Sequence, residues 1–203
     1  MDTRRDIAEA ANHMLGRMKM EPLPQERIIR NVGQGLRHLV AGALQTEDAG
    51  RVEEGMKIYR VYYAQHLLDH SRLYPGALDL LEHFRDRKQA VITNKPNPYS
   101  REILTGLGVA GYFLEIVAGD SEYPKKPDPR ALVSLMEKNR IAAEETLFIG
   151  DSAVDVETGR SAKVLTVVIR HGFSDEAEIQ AAVPDVVIDD FKQLIQLAQR
   201  NGW

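Results

Sequence analysis

Two sets of apolar residues in the first seventy positions recur every three or four residues, which places each set on one face of a helix. The first set is Ile7, Ala11, Met14 and Met18, and the second is Val52, Met56, Tyr59, Tyr63 and Leu67. The segment "EPLPQ" (21–25) follows the first set, and proline cannot continue a helix. The pattern predicts a helical module with a helix end at these prolines.

The first helix carries a start signal in its polar residues. Thr3 suits the N-cap position, and Asp6 lies three residues later, where a carboxylate completes a capping box. We expect a further helical stretch after "NVGQG" (31–35). The segment "LYPGA" (73–77) predicts a turn, which we interpret as the boundary between a helical domain (1–72) and a second domain (73–203).

The pattern changes after this turn to short apolar runs that alternate with helical stretches. The predicted strands are Ala90–Thr93, Leu114–Ala118, Leu147–Ile149, Leu165–Ile169 and Val186–Ile188. The predicted helices are Tyr99–Leu107, Arg130–Asn139, Val154–Ala162 and Phe191–Arg200. Strands rich in Val and Ile that alternate with helices indicate an α/β fold with a parallel sheet covered on both faces.

Composition and charge narrow the class of protein. The 203 residues carry a formal net charge of -4, and the Lys and Arg residues form no block of the kind that nucleic-acid binding needs. The sequence contains no cysteine, which excludes disulfides and thiolate metal sites. No apolar run is long enough to span a membrane. We therefore expect a cytoplasmic protein that binds neither nucleic acid nor membrane, and we leave its oligomeric state open.

Polar side chains follow three of the predicted strands. Thr93 and Asn94 end "VITNKP", Lys126 lies in the proline-rich "KKPDP", and Asp151 and Asp155 lie in "FIGDSAVD". Ligands of open α/β sheets collect at the carboxyl ends of the strands. A hydroxyl, an ammonium group and two carboxylates suit a Mg²⁺-dependent phosphoryl-transfer site.

Each of these residues also has an ordinary structural explanation. Thr93 can simply end a strand, Lys126 can be a solvated lysine in a turn, and the two aspartates can cap the following helix. The order of the three groups along the chain, each directly after a predicted strand, favours a shared site.

The segments "VITNKP", "KKPDP" and "FIGDSAVDVETGRSA" resemble three consecutive motifs of the haloacid dehalogenase superfamily. The N-terminal helices with "NVGQGLRHLV" resemble the cap of its phosphoglycolate phosphatase branch. The resemblance covers the chain from Asp2 onward. It implies a Rossmann-like core with an N-terminal helical cap, a Mg²⁺ cofactor and a small phosphorylated substrate.

The resemblance also implies a role for each matching residue. Thr93 and the backbone at Asn94 would bind the phosphoryl group, and Lys126 would pair with the phosphate. Asp151 would ligate Mg²⁺, while Asp155 would be a second or water-mediated ligand and would hold Lys126.

In the cap, Gly33 and Gly35 would shape a loop that closes on the substrate, and Arg37 is a candidate for binding a distal carboxylate. An ordinary turn explains the two glycines equally well, and a solvated position explains Arg37 better. We interpret Lys125 as surface charge, and His38 and His171 as structural or exposed.

One part of the family's pattern has no counterpart in these 203 residues. The family's nucleophile and general acid lie in Asp-x-Asp-Gly-Thr after the first, central strand, whereas this sequence opens "MDTRRDIAEAA". Asp2 and Asp6 do not replace the motif, since their spacing differs and no apolar strand precedes them. We expect the missing strand, about five residues long, to be encoded upstream of Met1.

The leading hypothesis is a phosphatase that acts on 2-phosphoglycolate through an aspartyl phosphate. Three alternatives remain. The first is another capped enzyme of the superfamily, such as a pyrophosphatase or a sugar-phosphate mutase. The second is a non-catalytic phosphate-binding or interaction protein. The third is a chain that receives its missing strand from a partner.

Overall fold

The computed structural model describes residues 1–170 and 172–202. The helices are α1 (Arg4–Arg17), α2 (Gln25–Ile29), α3 (Leu36–Leu44), α4 (Ala49–Gln65), α5 (Ala77–His83), α6 (Tyr99–Gly106), α7 (Arg130–Asn139), α8 (Ala153–Ser161), α9 (Glu176–Ala182) and α10 (Phe191–Asn201). The strands are β1 (Ala90–Ile92), β2 (Glu115–Val117), β3 (Leu147–Gly150), β4 (Leu165–Ile169) and β5 (Val186–Ile188). Short 3₁₀ turns occupy Ala110–Tyr112 and Ala143–Glu145.

The two predicted apolar faces of the helical module form one core. Ile7, Ala11 and Met14 of α1 are buried against α3 and α4. The α4 face is buried from Val52 to Tyr63, and Leu67 lies past the end of that helix. Ile103 of α6 belongs to the same cluster, so the helical module packs directly onto the α/β part. The domain boundary at residues 72–73 stays a prediction.

The structure places the end of α1 earlier than the prolines predicted. The helix ends at Arg17, and Lys19 adopts a left-handed conformation with φ of 59°. The backbone N–H of Met20 then donates to the carbonyl of Leu15 at 2.9 Å. This pattern is a Schellman-type termination, and it was not predicted because Lys19, rather than a glycine, holds the left-handed position.

The predicted start of α1 is right, but the predicted capping box is wrong. The Thr3 side chain makes no capping hydrogen bond. Asp6 is buried and accepts instead from the backbone N–H groups of His70 and Ser71, at 2.9 and 2.8 Å, and from the Ser71 hydroxyl at 2.6 Å. Asp6 therefore joins α1 to the segment that leads into the α/β part.

The strands are parallel, as predicted, but they form two sheets within the part of the chain that the structure describes. β1 pairs with β2, and β3, β4 and β5 pair in that order. Side chains of β4 alternate between the two faces: Val167 and Ile169 pack against α5 and α10, and Val168 packs against α8 and α9. Helices therefore cover both faces, which confirms the predicted α/β architecture.

β1 and β3 each have one edge without a strand partner among the described residues. Val91 and Ile92 of β1 and Ile149 of β3 line a cavity that continues to the carboxyl ends of both strands. The side chains of both strands are only half-buried, apart from the exposed Ala90, whereas β4, with a partner on each side, is almost fully buried. The open edges of the two sheets thus border the same cavity.

Candidate active site

The cavity of about 1360 Å³ lies between the helical module and the carboxyl ends of the strands. Thr93 follows β1, Asp151 follows β3, Lys126 lies in the loop between β2 and α7, and Asp155 lies in the first turn of α8. All four residues line the cavity. The structure therefore brings together the residues that the sequence placed after three different strands.

Lys126 and Asp155 form a buried ion pair. The Lys126 Nζ donates to Oδ1 of Asp155 at 2.6 Å. The second oxygen, Oδ2, accepts from the backbone N–H of Asp151 at 3.1 Å and from the N–H and hydroxyl of Ser152 at 3.1 and 2.6 Å. Because both oxygens of Asp155 are engaged, its carboxylate is fitted to hold Lys126 and the start of α8.

A glycine permits this close approach of strand and helix. A Cβ atom on Gly150 would lie 2.1 Å from Cβ of Asp155. A side chain at position 150 would therefore push α8 away from the end of β3. The glycine before Asp151 is a steric requirement of the site.

The two carboxylates have opposite electrostatic environments. Burial alone would raise the pKa of Asp155, but the Lys126 ammonium and the Ser152 hydroxyl lower that pKa below its ordinary value. Burial, followed by the negative charge of Asp155, raises the pKa of Asp151 to about 6. The nearby positive charges therefore do not offset the effects of burial and of Asp155 on the pKa of Asp151.

Tyr74 is a partner of Asp151 that the sequence did not suggest. Its hydroxyl donates to Oδ2 of Asp151 at 3.3 Å. Burial, and then the charge of Asp151, raise the pKa of Tyr74 above its ordinary value, so that the hydroxyl stays protonated. Tyr74 lies in the turn "LYPGA" before α5. The sequence of a turn does not show that one of its side chains contacts a residue at the end of β3.

The donor set of the cavity suits a hard cation. Asp151 offers carboxylate oxygens that line the cavity and whose raised pKa a cation would lower again. Asp155 has both oxygens occupied by protein donors, which suits contact with a cation through water rather than direct ligation. The donor set is therefore compatible with Mg²⁺, and the role of Asp151 as its ligand stays a prediction.

Asn94 organises the loops around the site through its side chain. Its amide nitrogen donates to the carbonyl oxygens of Lys126 and Gly33, at 2.9 and 2.6 Å, and its amide oxygen accepts from the Lys126 N–H at 2.8 Å. The cap loop, the Lys126 loop and the end of β1 are therefore fixed to one side chain. Its predicted contact with phosphate through the backbone stays a prediction.

Two of the three predicted cap residues line the cavity, and the third does not. Gly33 and Gly35 line the cavity and adopt φ of 113° and 99°, values that L side chains rarely adopt. Arg37 is exposed, points to Glu53 at 3.8 Å and does not line the cavity. The side chain of Lys125 is exposed, as expected for surface charge, and lies against Gly35. His38 is exposed, and His171 lies outside the described residues.

A second group of potential ligands has a structural role. Oxygen and nitrogen atoms of Asp6, Glu9 and His70 lie within 4.8 Å of one another. Asp6, however, already accepts three hydrogen bonds from His70 and Ser71. The cluster is explained by the attachment of α1 to residues 70–71.

Lys95, two positions after Thr93, was not among the site residues predicted from the sequence. The Lys95 Nζ donates to the hydroxyl of Tyr63, and both residues line the cavity. Burial lowers the pKa of Lys95 to about 7. The two residues lie 32 positions apart, and Tyr63 was identified only as part of an apolar helix face.

Comparison with known proteins places this site in a family. The haloacid dehalogenase-like hydrolase family matches residues 1–169. The chain belongs to this family. It is 32% identical to a phosphoglycolate phosphatase of Photobacterium profundum, over 98% of this chain and 91% of the relative. It is 33% identical to a phosphoglycolate phosphatase of Rhodospirillum rubrum, over 93% of this chain and 82% of the relative.

Solved structures of haloacid dehalogenase-like hydrolases have the same fold. A predicted phosphoglycolate phosphatase of Haemophilus somnus superposes with a TM-score of 0.91 at 26% identity, over 97% of this chain and 92% of the other. These similarities identify the protein as a phosphatase of this hydrolase family. In the part of the chain that the structure describes, no helix is both long and apolar enough to cross a membrane.

Proposed function

We propose that this haloacid dehalogenase-like phosphatase hydrolyses a small phosphorylated metabolite, 2-phosphoglycolate first among the candidates, with Mg²⁺ as cofactor. The observation that carries the proposal is the meeting of Thr93, Lys126, Asp151 and Asp155 at one cavity between the cap helices and the strand ends. The names of the relatives from Photobacterium profundum and Rhodospirillum rubrum support the choice of substrate.

Thr93 and Lys126 are placed to bind the phosphoryl group. The backbone N–H of Lys95 donates to the Thr93 hydroxyl oxygen at 3.1 Å, which leaves the hydroxyl hydrogen free to donate towards the cavity. The Lys126 ammonium keeps two further N–H donors beyond the one that Asp155 accepts. Both groups would neutralise and orient phosphoryl oxygens during transfer.

Asp151 would hold Mg²⁺, and Asp155 would contact the ion through water while it positions Lys126. When bound, Mg²⁺ neutralises the phosphoryl charge and orients the phosphoryl group for attack. The loop around Gly33 and Gly35 would close over the substrate and exclude water. The reaction would pass through an aspartyl phosphate on an aspartate of the family's first motif, which water then hydrolyses.

Phosphate release from a substrate panel tests this proposal. The protein is expressed from its complete gene and assayed with 2-phosphoglycolate, pyrophosphate and a hexose phosphate, with Mg²⁺ or with EDTA. We expect Mg²⁺-dependent release, fastest from 2-phosphoglycolate. Faster release from pyrophosphate, or conversion of the hexose phosphate into an isomer, would instead favour another capped enzyme of the family.

A second candidate function is phosphate binding without hydrolysis. It is favoured by the chemistry of Thr93 and Lys126, which offer hydrogen-bond donors to a phosphoryl group but do not attack phosphorus. This candidate predicts that 2-phosphoglycolate raises the melting temperature while no inorganic phosphate appears. Phosphate release above the EDTA background would exclude it.

A further inference from the structure

Lys95 is a cation in the cavity that the phosphoryl chemistry does not use. Its backbone is fixed at the end of β1, since its N–H donates to the Thr93 hydroxyl at 3.1 Å and its carbonyl accepts from Gly119 at 3.0 Å. The side chain extends to the helical module, where Nζ donates to the Tyr63 hydroxyl and lies 4.5 Å from the centre of that ring. The ammonium group is thus held at the helical side of the cavity that Thr93 and Lys126 also line.

The charge of Lys95 is not compensated by a carboxylate. Among the described residues, no carboxylate lies within ion-pair distance of its Nζ. Asp6 attracts the ammonium from farther away, but its oxygens are engaged by His70 and Ser71. A half-buried ammonium whose pKa has fallen to about 7 favours the approach of an anion.

Two other cations that line the cavity are paired with carboxylates. Arg4 binds both oxygens of Asp2, and Lys126 binds Asp155. Arg37, which the sequence suggested for a distal carboxylate, is exposed and directed at Glu53. Arg30 also lines the cavity but is exposed, whereas Lys95 is half-buried and has no carboxylate within ion-pair distance among the described residues.

We propose that Lys95 is a specificity-determining residue that binds the carboxylate at the distal end of the substrate, with Tyr63 holding its ammonium in place. This inference rests on the proposed function, because it assigns one end of the same substrate. Thr93 and Lys126 would bind the phosphoryl end at the strand side, and Lys95 would bind the carboxylate at the cap side. An ester without a carboxylate would leave Lys95 unpaired.

Two ligands that cannot be hydrolysed separate the two ends. 3-Phosphonopropionate carries a phosphonate and a carboxylate, and propylphosphonate replaces the carboxylate by a methyl group. Dissociation constants for both are measured by calorimetry with Mg²⁺ at pH 6.5, where Lys95 is mainly protonated. For the unmodified protein we expect binding of 3-phosphonopropionate to be at least about tenfold tighter.

Lys95→Met keeps the length of the side chain and removes its charge. We expect this variant to lose about tenfold or more of its affinity for 3-phosphonopropionate and to bind propylphosphonate within about twofold of the unmodified protein. Lys57→Met is the matched control, because Lys57 is exposed on α4, the helix that carries Tyr63. This control should retain the preference for the carboxylate.

Equal affinity of the unmodified protein for the two ligands would overturn the inference, even if Lys95→Met did not fold. An equal loss for both ligands in Lys95→Met would also overturn it, since Lys95 would then support the phosphate end or the fold. Failure of the proposed function would give other results. Either neither ligand would bind, or the protein would prefer 3-phosphonopropionate to propylphosphonate and yet release no phosphate from 2-phosphoglycolate.

Discussion

At the scale of single residues, the site depends on the different surroundings of its two aspartates. Lys126 binds Asp155, which keeps Asp155 ionised and leaves Asp151 with a pKa of about 6. The Asp155 carboxylate is therefore satisfied by protein donors, whereas Asp151 accepts from the Tyr74 hydroxyl and has no ammonium or guanidinium partner among the described residues. This difference explains why two aspartates only four positions apart can have separate roles.

Asp155→Asn should destabilise the fold because it leaves the Lys126 ammonium buried without a counter-charge. We expect the free energy of unfolding to fall by about 2 kcal/mol, less than for a fully buried pair, since the charge on Asp151 lies close by. Urea denaturation measures the change, with Asp86→Asn on the exposed surface as the control. A loss no larger than that of the control would show that the pair is not stabilising.

The raised pKa of Asp151 predicts a pH dependence in the metal-free protein. Its folded value of about 6 lies above the ordinary 3.8, so folding favours the protonated form. The contribution of Asp151 to stability is therefore favourable near pH 4 and is lost as the pH rises through 6. Because Asp151 is only half-buried, we expect an effect of about 1 kcal/mol.

Asp151→Asn is the variant that isolates this titration. In EDTA, it should match the unmodified protein near pH 4 and be more stable by about 1 kcal/mol at pH 7. Mg²⁺ should reverse the order at pH 7, since only the aspartate binds the ion. A difference in unfolding free energy that does not vary between pH 4 and pH 7 would contradict the assignment of the raised pKa.

At the scale of elements, the sequence predicted most strands and helices to within one or two residues. β4, β5 and α7 have the predicted bounds. Strand and helix periods are local, and so are the residues that follow a strand, which is why Thr93 and Asp151 could be placed in advance. The seven-residue helices α5 and α9 were missed, because two turns of helix carry too few apolar positions for a clear period.

Contacts between distant elements could not be predicted in the same way. Lys95 meets Tyr63 of α4, and Tyr74 meets Asp151, 77 positions away. Asp6 was interpreted as a capping residue because its spacing from Thr3 is right, although its carboxylate is bound at residues 70–71. The spacing of residues predicts contacts along one helix, but it does not predict contacts between elements that are far apart in the sequence.

The packing of α8 on β3 gives a prediction at this scale. Gly150→Ala should destabilise the protein by about 3 kcal/mol, because the new Cβ would lie 2.1 Å from Cβ of Asp155 and would displace the helix. Gly16→Ala in α1 is the control, since nothing lies within 4 Å of a Cβ at that position. That control should be neutral or stabilising by about 0.5 kcal/mol.

Equal melting temperatures for Gly150→Ala and Gly16→Ala would contradict this account of the close approach. A selective loss of Mg²⁺ binding in Gly150→Ala, with Gly16→Ala unchanged, would support it further. The displaced helix start carries Asp155, and its movement would disturb both Lys126 and Asp151.

At the scale of the whole molecule, the cavity joins three parts: the helical module, the β1–β2 sheet and the β3–β4–β5 sheet. Asn94 and Lys95 extend from the end of β1 to the cap loop and to α4. Closure of the cap would therefore act on the same loop that carries Thr93. In the proposed binding mode, the phosphoryl end of the substrate lies at the strand side of the cavity and its carboxylate at the helical side.

The open sheet edges predict an order of amide hydrogen exchange. β4 is paired on both sides, whereas β1 and β3 are each paired on one side among the described residues. In a protein made of residues 1–203, amides of β4 should exchange slowest, and those amides of β1 and β3 that face the cavity should exchange markedly faster. Protection of β1 equal to that of β4 in this 203-residue protein would mean that a strand from a partner, or another segment of the chain, pairs with β1.

The most direct test of the central claim is Mg²⁺-dependent release of phosphate from 2-phosphoglycolate by the unmodified protein and by Asp151→Asn, each expressed from the complete gene. We expect the substitution to reduce kcat by at least about a hundredfold, while the protein still melts cooperatively and retains its helical content. Activity of Asp151→Asn within about twofold of the unmodified protein would contradict the assignment of Asp151 as the metal ligand, and with it the proposed site.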